Sequence, residues 1–253
     1  RAGRELVAYV ASPADSGLTV SAERVPSWAR DLSALYFGMA PKAKRTSPRP
    51  DVRPMAGVPG AMQQAGARAV GADDSLPSLV IWHGKDPRIQ AQQQVQENRD
   101  KGFSYLWAYR PAEQRAVALA TESVSNVTVV PGDRWAVGND VRQYERQGNL
   151  DGINRRDVWI IDTRTGERKL ALSAQEWPAI PSPDGSRLLF FDDGHYWSLA
   201  MATGERKNLT GDMPVSFVNT EDDHNRDRPP VFPVGWARGG GSVLLSDRWD
   251  VWN

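Results

Sequence analysis

The side chains able to do covalent chemistry are few. The chain contains no cysteine and only three histidines, His83, His195 and His224. Thiolate nucleophiles, disulfide frameworks and Cys-based zinc sites are therefore excluded. A serine hydrolase of the α/β type needs Gly-x-Ser-x-Gly at a strand-to-helix elbow, because small flanking residues permit the strained turn. The nearest approach is Gly102-Phe103-Ser104-Tyr105-Leu106, which lacks the second glycine and falls in an aromatic, strand-like run. Two-histidine helical motifs and Asp-x-Asp-x-Asp-Gly loops are also missing, so neither a metal nor another cofactor is expected.

The densest polar cluster is Glu221-Asp222-Asp223-His224, followed by Arg226. Crowded carboxylates create a local negative potential that suits a cation or a substrate ammonium. These five residues are the candidate substrate-facing loop, against the plainer reading of a solvated acidic loop. His83 and His195 each adjoin a Trp-containing strand and read as packing or hydrogen-bonding residues at strand ends. Asp192-Asp193 falls where a tight turn is expected. Asn126-Val127-Thr128 and Asn208-Leu209-Thr210 match glycosylation sequons, a pattern frequent by chance.

The elements that would position these residues are betrayed by repetition. Asp157-Val158-Trp159 through Thr165-Gly166-Glu167-Arg168-Lys169 recurs 38 residues later as His195-Tyr196-Trp197 through Thr203-Gly204-Glu205-Arg206-Lys207. Each copy reads as a Trp-led strand, a glycine turn and a second strand, with Gly166 and Gly204 supplying the positive φ of a tight hairpin. A preceding unit of turn plus apolar strand appears at Pro183-Asp184-Gly185-Ser186-Arg187-Leu188-Leu189-Phe190-Phe191. It recurs from Trp28 and from Trp236, and more weakly from Pro131. Asp250-Val251-Trp252 repeats Asp157-Val158-Trp159. Trp107, Trp159, Trp197 and Trp252 thus fall on corresponding strands, where a large amphipathic ring fills the space between neighbouring sheets. Stacking on a sugar or a base is the alternative role for tryptophan here, and it requires an exposed ring beside a basic groove.

Four short antiparallel strands per repeat of about 45 residues describe a β-propeller blade. The 253 residues accommodate about four to five blades, so an all-β partial propeller ring is expected, spanning 1–253, with both ends cutting through blades. Glu5 to Val10 already reads as a strand. From Pro41 to Leu76 the chain is rich in Pro, Ala, Gly and Arg, with Lys42, Lys44, Arg45, Arg49 and Arg53 in its first part. That segment, 41–76, reads as a flexible insertion. Gln143–Arg156 reads as a long polar hairpin tip.

Charge sharpens the exclusions. Lys plus Arg number 31 and Asp plus Glu number 31, so the zero net charge speaks against nucleic acid as a partner. No uncharged apolar run approaches the ~18 residues of a membrane helix.

The Ser182-Pro183-Asp184-Gly185 blade and its Thr203-Gly204-Glu205-Arg206-Lys207 turn resemble blades of TolB-like and dipeptidyl-peptidase-type propellers. The longer ordered set is Val80-Ile81-Trp82-His83-Gly84-Lys85-Asp86-Pro87-Arg88-Ile89-Gln90, Pro214 to Phe217 with Glu221 to His224, Gly235-Trp236, and Ser246 to Trp252. It is similar to the N-terminal propeller of bacterial prolyl oligopeptidase family serine peptidases. The resemblance implies a non-catalytic propeller that gates peptide access and docks on a C-terminal α/β-hydrolase domain of the same polypeptide, with peptide as substrate. It also implies a periplasmic or secreted location ahead of a cytoplasmic one. No catalytic residue is carried over, because the family's triad belongs to that other domain. The other reading is a stand-alone TolB-like propeller that binds a protein partner.

Overall fold

The computed structural model describes residues 17–42, 83–224 and 226–253. The strand expected at Glu5–Val10, and the insertion expected over 41–76 apart from Pro41 and Lys42, lie outside these residues. Among the described residues strands dominate, in four antiparallel sheets that follow one another along the chain. The first contains β1 (Leu18–Val20) and β2 (Ser27–Trp28) side by side on one edge of β3 (Leu35–Pro41). Helix α1 (Gln90–Lys101) precedes β4 (Tyr105–Arg110) and β5 (Arg115–Ala118), which complete that sheet. The second orders β6 (Asn126–Val129), β7 (Trp135–Asp140), β8 (Arg156–Asp162) and β9 (Arg168–Gln175), with α2 (Arg142–Asp151) between β7 and β8. The third orders β10 (Ile180–Pro181), β11 (Arg187–Asp192), β12 (His195–Ala200) and β13 (Arg206–Asn208). The fourth has β14 (Gly235–Trp236), β15 (Val243–Ser246) and β16 (Val251–Trp252). Four meander sheets packed face to face in sequence form an arc of a β-propeller, the expected fold class.

The packing follows from side-chain alternation. In β11, Leu188, Leu189, Phe190 and Phe191 are all buried, because both faces of a middle blade are covered. Leu188 and Phe190 join Val158, Ile160 and Leu172 of the second blade, while Leu189 and Phe191 join Val243 and Leu245 of the fourth. Tyr36, Leu106 and Val117 of the first blade meet Val127, Ala136 and Ile161 of the second in the same way. Period-two geometry thus divides each strand between two seams. Burying a ring the size of Phe190 is worth about 2–3 kcal/mol.

Polar latches reinforce the seams, and they repeat with the sequence. Arg168 Nη2 donates to the carbonyls of Ala118 (2.7 Å) and Leu119 (3.3 Å) in the preceding blade. Arg206 Nη2, its counterpart in the next copy, donates to the Ala171 carbonyl at 2.6 Å. Gly166 and Gly204 both have φ +78. Their N–H groups bond Asp162 O at 2.8 Å and Ala200 O at 2.7 Å, so the two turns have the same backbone build as well as the same sequence.

At the same end, the turns between first and second strands touch in series. Arg30 N–H donates to Asp133 Oδ2 at 2.9 Å. Gly185, at φ +68, lies so close to the second blade that a Cβ there would come 1.7 Å from Pro131 O. Asp184 holds its own turn by accepting from Ser182 Oγ (2.5 Å) and Ser186 N (3.1 Å). The Ser182 hydroxyl is the main reason that its carboxyl titrates below the ordinary range.

One expectation is corrected. The segment 143–156 is not an extended hairpin tip, since most of it forms helix α2. The helix is tied to the sheet by Asp157, whose Oδ2 accepts from Gln143 Nε2 and whose Oδ1 accepts from Tyr144 OH, each at 2.7 Å. Neither helix buries a residue. Apolar periodicity, the usual signal of a helix, is absent because both are held by polar side chains.

Two glycines of like φ separate steric from conformational cost. Gly185→Ala is expected to destabilise the protein by about 3 kcal/mol, combining a left-handed backbone with a clash. Gly152→Ala, at φ +76 with open space around it, is expected to cost about 1 kcal/mol. Urea unfolding of both variants measures the difference.

Candidate functional site

In an antiparallel blade, connections 1–2 and 3–4 leave at one end, and connections 2–3 and 4–1 leave at the other. The latching turns occupy the first end. The second carries the long segments: the β3–β4 connection with α1, the β7–β8 connection with α2, and the β13–β14 connection that contains the acidic cluster.

The acidic connection is folded rather than loose. Phe217 is 1% exposed in the seam of the third and fourth blades. The strand-like bridge between Val218 and Pro230 is flanked by Asn219 N–H to Pro229 O (2.7 Å) and Val231 N–H to Phe217 O (2.8 Å). From that neck Glu221, Asp222, Asp223 and His224 project as a tip. Arg248, in the β15–β16 turn, donates to Asn219 Oδ1 at 3.3 Å and to the Glu221 carboxylate, which holds that carboxyl below the ordinary range. Asp222 Oδ1 accepts the His224 N–H at 2.8 Å and approaches its Nδ1 at 2.7 Å, and the N–H bond chiefly lowers the Asp222 pKa. Asp223 Oδ1 lies 3.4 Å from the same Nδ1. Asp222, Asp223 and His224 therefore converge, with ligand-type atoms within 4.8 Å of one another. Arg226 is exposed beside them, its N–H donating to His224 O at 2.8 Å. The tip can accept an ammonium or guanidinium group. Its carboxylates are committed mainly to its own backbone and to Arg248.

A cavity of about 240 Å³ opens next to this connection, lined by Arg155, Glu176, Trp177, Asp193, Asp227 and Arg228 among others. Arg228 Nη1 holds Asp193 Oδ1 at 2.9 Å. Trp177 meets the exposed Phe232 edge-on, with centroids 6.4 Å apart. Burial raises the Glu176 carboxyl above its ordinary 4.5, against the opposing pull of Arg155 and Arg226.

The two helices are braced together at this end. Arg88 Nη1 bonds Asp100 Oδ2 and Gln96 Oε1, both at 2.8 Å, and its Nε lies 3.8 Å from Glu145 Oε1 of α2. Asn149 Nδ2 donates to Pro87 O at 2.6 Å.

The remaining singled-out residues are dispersed. Trp107, Trp159, Trp197 and Trp252 lie on β4, β8, β12 and β16, the third strand of each blade. They stand opposite Phe37, Gly138, Phe190 and Leu245 respectively. His195 Nδ1 faces Thr210 Oγ1 at 3.3 Å, and His83 Nδ1 accepts the Lys85 N–H at 3.0 Å. Ser104 is 3% exposed, and its hydroxyl accepts from Arg24 Nε at 3.3 Å. Among the described residues no helix is long and apolar enough to cross a membrane.

Sequence reading passed over one feature altogether. A cleft of about 410 Å³ at the seam of the first two blades is lined by Arg24, Trp28, Arg30 and Asp133. In the sequence Trp28, Arg30 and Asp133 are parts of two blade repeats and Arg24 belongs to neither, and Arg24 and Asp133 lie 109 positions apart along the chain.

Comparison with known proteins yields no matching family model and no matching curated protein. Among solved structures, a TolB from Agrobacterium tumefaciens is 15% identical over 43% of this chain and 41% of its own, at a TM-score of 0.27. TolB from Acinetobacter baumannii is 18% identical over 46% and 28%, at 0.27. An oligogalacturonate lyase from Vibrio parahaemolyticus is 14% identical over 56% and 38%, at 0.32. The alignments span less than half the length of each of these structures.

Arg248→Ala is expected to speed amide exchange in residues 219–224 about threefold to fivefold, the effect of losing an exposed ion pair worth up to ~1 kcal/mol. Global stability should change little; exchange read by mass spectrometry checks both. Glu176 gives a pH signature. Because its folded pKa is raised, ionisation costs the fold at pH values above that pKa, and the cost vanishes below its unfolded pKa. Glu176→Gln should therefore raise Tm at pH 7 and lose that gain as pH falls to about 4.

Proposed function

We propose that this chain is the non-catalytic propeller region of a prolyl-oligopeptidase-like serine peptidase. In this reading its insertion-bearing end docks on an α/β-hydrolase domain and restricts peptide access to it. The observation that carries the reading is the asymmetry of the two ends. One end is closed by short repeated turns, and the other gathers α1, α2 and the acidic connection into a braced polar surface. A docking surface needs residues ordered before binding, which reduces the entropy lost on association. The Arg88 and Arg248 networks supply that order. The acidic tip and the Glu176 cavity offer negative charge to the ammonium or basic side chains of a peptide.

The proposed division of labour assigns chemistry to the partner domain. The sequence agrees with this division, since the chain has no Gly-x-Ser-x-Gly. Ser104, the nearest serine in that search, is buried under Arg24 and not held by a histidine. Gating by this end would act on peptide size rather than on residue type, because the walls are polar side chains of both signs.

The purified chain is expected to show no labelling by a fluorophosphonate probe and no hydrolysis of fluorogenic dipeptide amides. A polypeptide extended past Asn253 is expected to label at a Gly-x-Ser-x-Gly serine. Labelling of the isolated chain defeats the proposal. A coding sequence without a hydrolase domain turns it into the stand-alone protein-binding reading.

A further inference from the structure

The cleft between the first and second blades runs along their seam from Asp133, in the β6–β7 turn, to Arg24, which bonds Ser104 just before β4. It sets side chains that blade packing does not use, Arg24, Trp28 and Arg30, against the edge of the seam core. Trp28, on β2, is 54% exposed. Arg30, two residues on, is exposed; its backbone N–H bonds Asp133 Oδ2, and its guanidinium makes no ion pair among the described residues. Arg24 enters from the β1–β2 connection. Among the described residues only its Nε is engaged, by Ser104 Oγ, and its terminal nitrogens face no acceptor there. Ser27 and Thr128 supply hydroxyls to the wall, and Leu106 and Val127 supply its apolar floor. Tyr36 donates its hydroxyl to Asp133 O at 3.4 Å. Burial, reinforced by the Asp133 charge, lifts that phenol to about 12, so it stays a neutral donor at physiological pH.

Two guanidinium groups against one carboxylate leave a single positive charge in a concave site beside a half-exposed indole face. A volume of about 410 Å³ falls in the range of small-molecule sites. Arginine selects carboxylates through its paired donors, and tryptophan offers a flat face to a ring. One excess charge matches one carboxylate better than a doubly charged phosphate. We propose that this cleft binds a ring-bearing monocarboxylate, its carboxylate held by Arg24 and Arg30 and its ring laid on Trp28. The exposed ring beside a basic groove is the arrangement that a binding role for tryptophan requires. This proposal stands apart from the peptidase reading, since it uses neither the acidic connection nor a second domain.

The ring could be a saturated sugar or an aromatic, and the experiment separates them. Glucuronate and 4-hydroxybenzoate are titrated into the protein by calorimetry, with glucose and 4-hydroxybenzyl alcohol as their neutral counterparts. Trp28→Phe identifies the tryptophan fluorescence that reports from the cleft. At least one carboxylate should bind, and about tenfold more tightly than its neutral counterpart. Binding should weaken about tenfold in Arg30→Ala, a substitution that keeps the backbone bond to Asp133, and should be lost in Trp28→Ala. Both side chains are exposed, and an unchanged Tm confirms that the fold survives. Glucuronate binding alone assigns a sugar acid, and 4-hydroxybenzoate binding alone an aryl acid. The proposal is overturned if neither carboxylate binds, if the neutral compounds bind equally well, or if both variants bind like the parent.

Discussion

Everything in this fold depends on the seam between blades. A three- or four-stranded sheet that is apolar on both faces cannot be stable by itself, because one face always remains in water. Here each inner blade meets that constraint by sending alternate residues to the neighbour before it and the neighbour after it. Leu188 and Phe190 go one way, and Leu189 and Phe191 go the other. The apolar seam sets the spacing, and the arginine latches set the alignment. Arg168 and Arg206 each cross to a backbone carbonyl of the preceding blade, a charge-assisted bond of fixed direction that apolar contact does not provide.

The seams also explain why the two ends of the blades differ. Where successive turns touch, as Gly185 does Pro131, there is no room for a longer loop. Insertions are confined to the other end, where the connections are not stacked in this way. Among the described residues three such connections are held by polar side chains: Arg88 for the helices, Asp157 for α2 and Arg248 for the acidic tip. Variability and potential function are therefore directed to one end by packing at the other.

Legibility in the sequence followed the same division. The Thr-Gly-Glu-Arg-Lys copies, the Asp184-Gly185 turn and the spacing of Trp159 and Trp197 expose blades two and three, because a repeated seam demands repeated residues. The helices were not legible. Gln90–Lys101 and Arg142–Asp151 bury nothing, so no apolar period betrays them, and Asp157 reads as a strand residue until Tyr144 and Gln143 are found on it. The acidic tip was visible as a charge cluster, whereas its clasp was not, since Arg248 is 27 residues from Glu221.

The sequence by itself determined the fold class, the blade boundaries where repeats are close, and the lack of a recognisable nucleophile motif, because these depend on residue type and local spacing. Tertiary structure alone decided which blades share a core, which end carries the insertions, and where Arg24 and Arg30 meet an exposed tryptophan. Those properties come from residues distant along the chain that the seams bring within a few ångströms of each other. Arg24, Trp28 and Arg30 are ordinary residues in one dimension, and they become a cleft only when the second blade closes against the first.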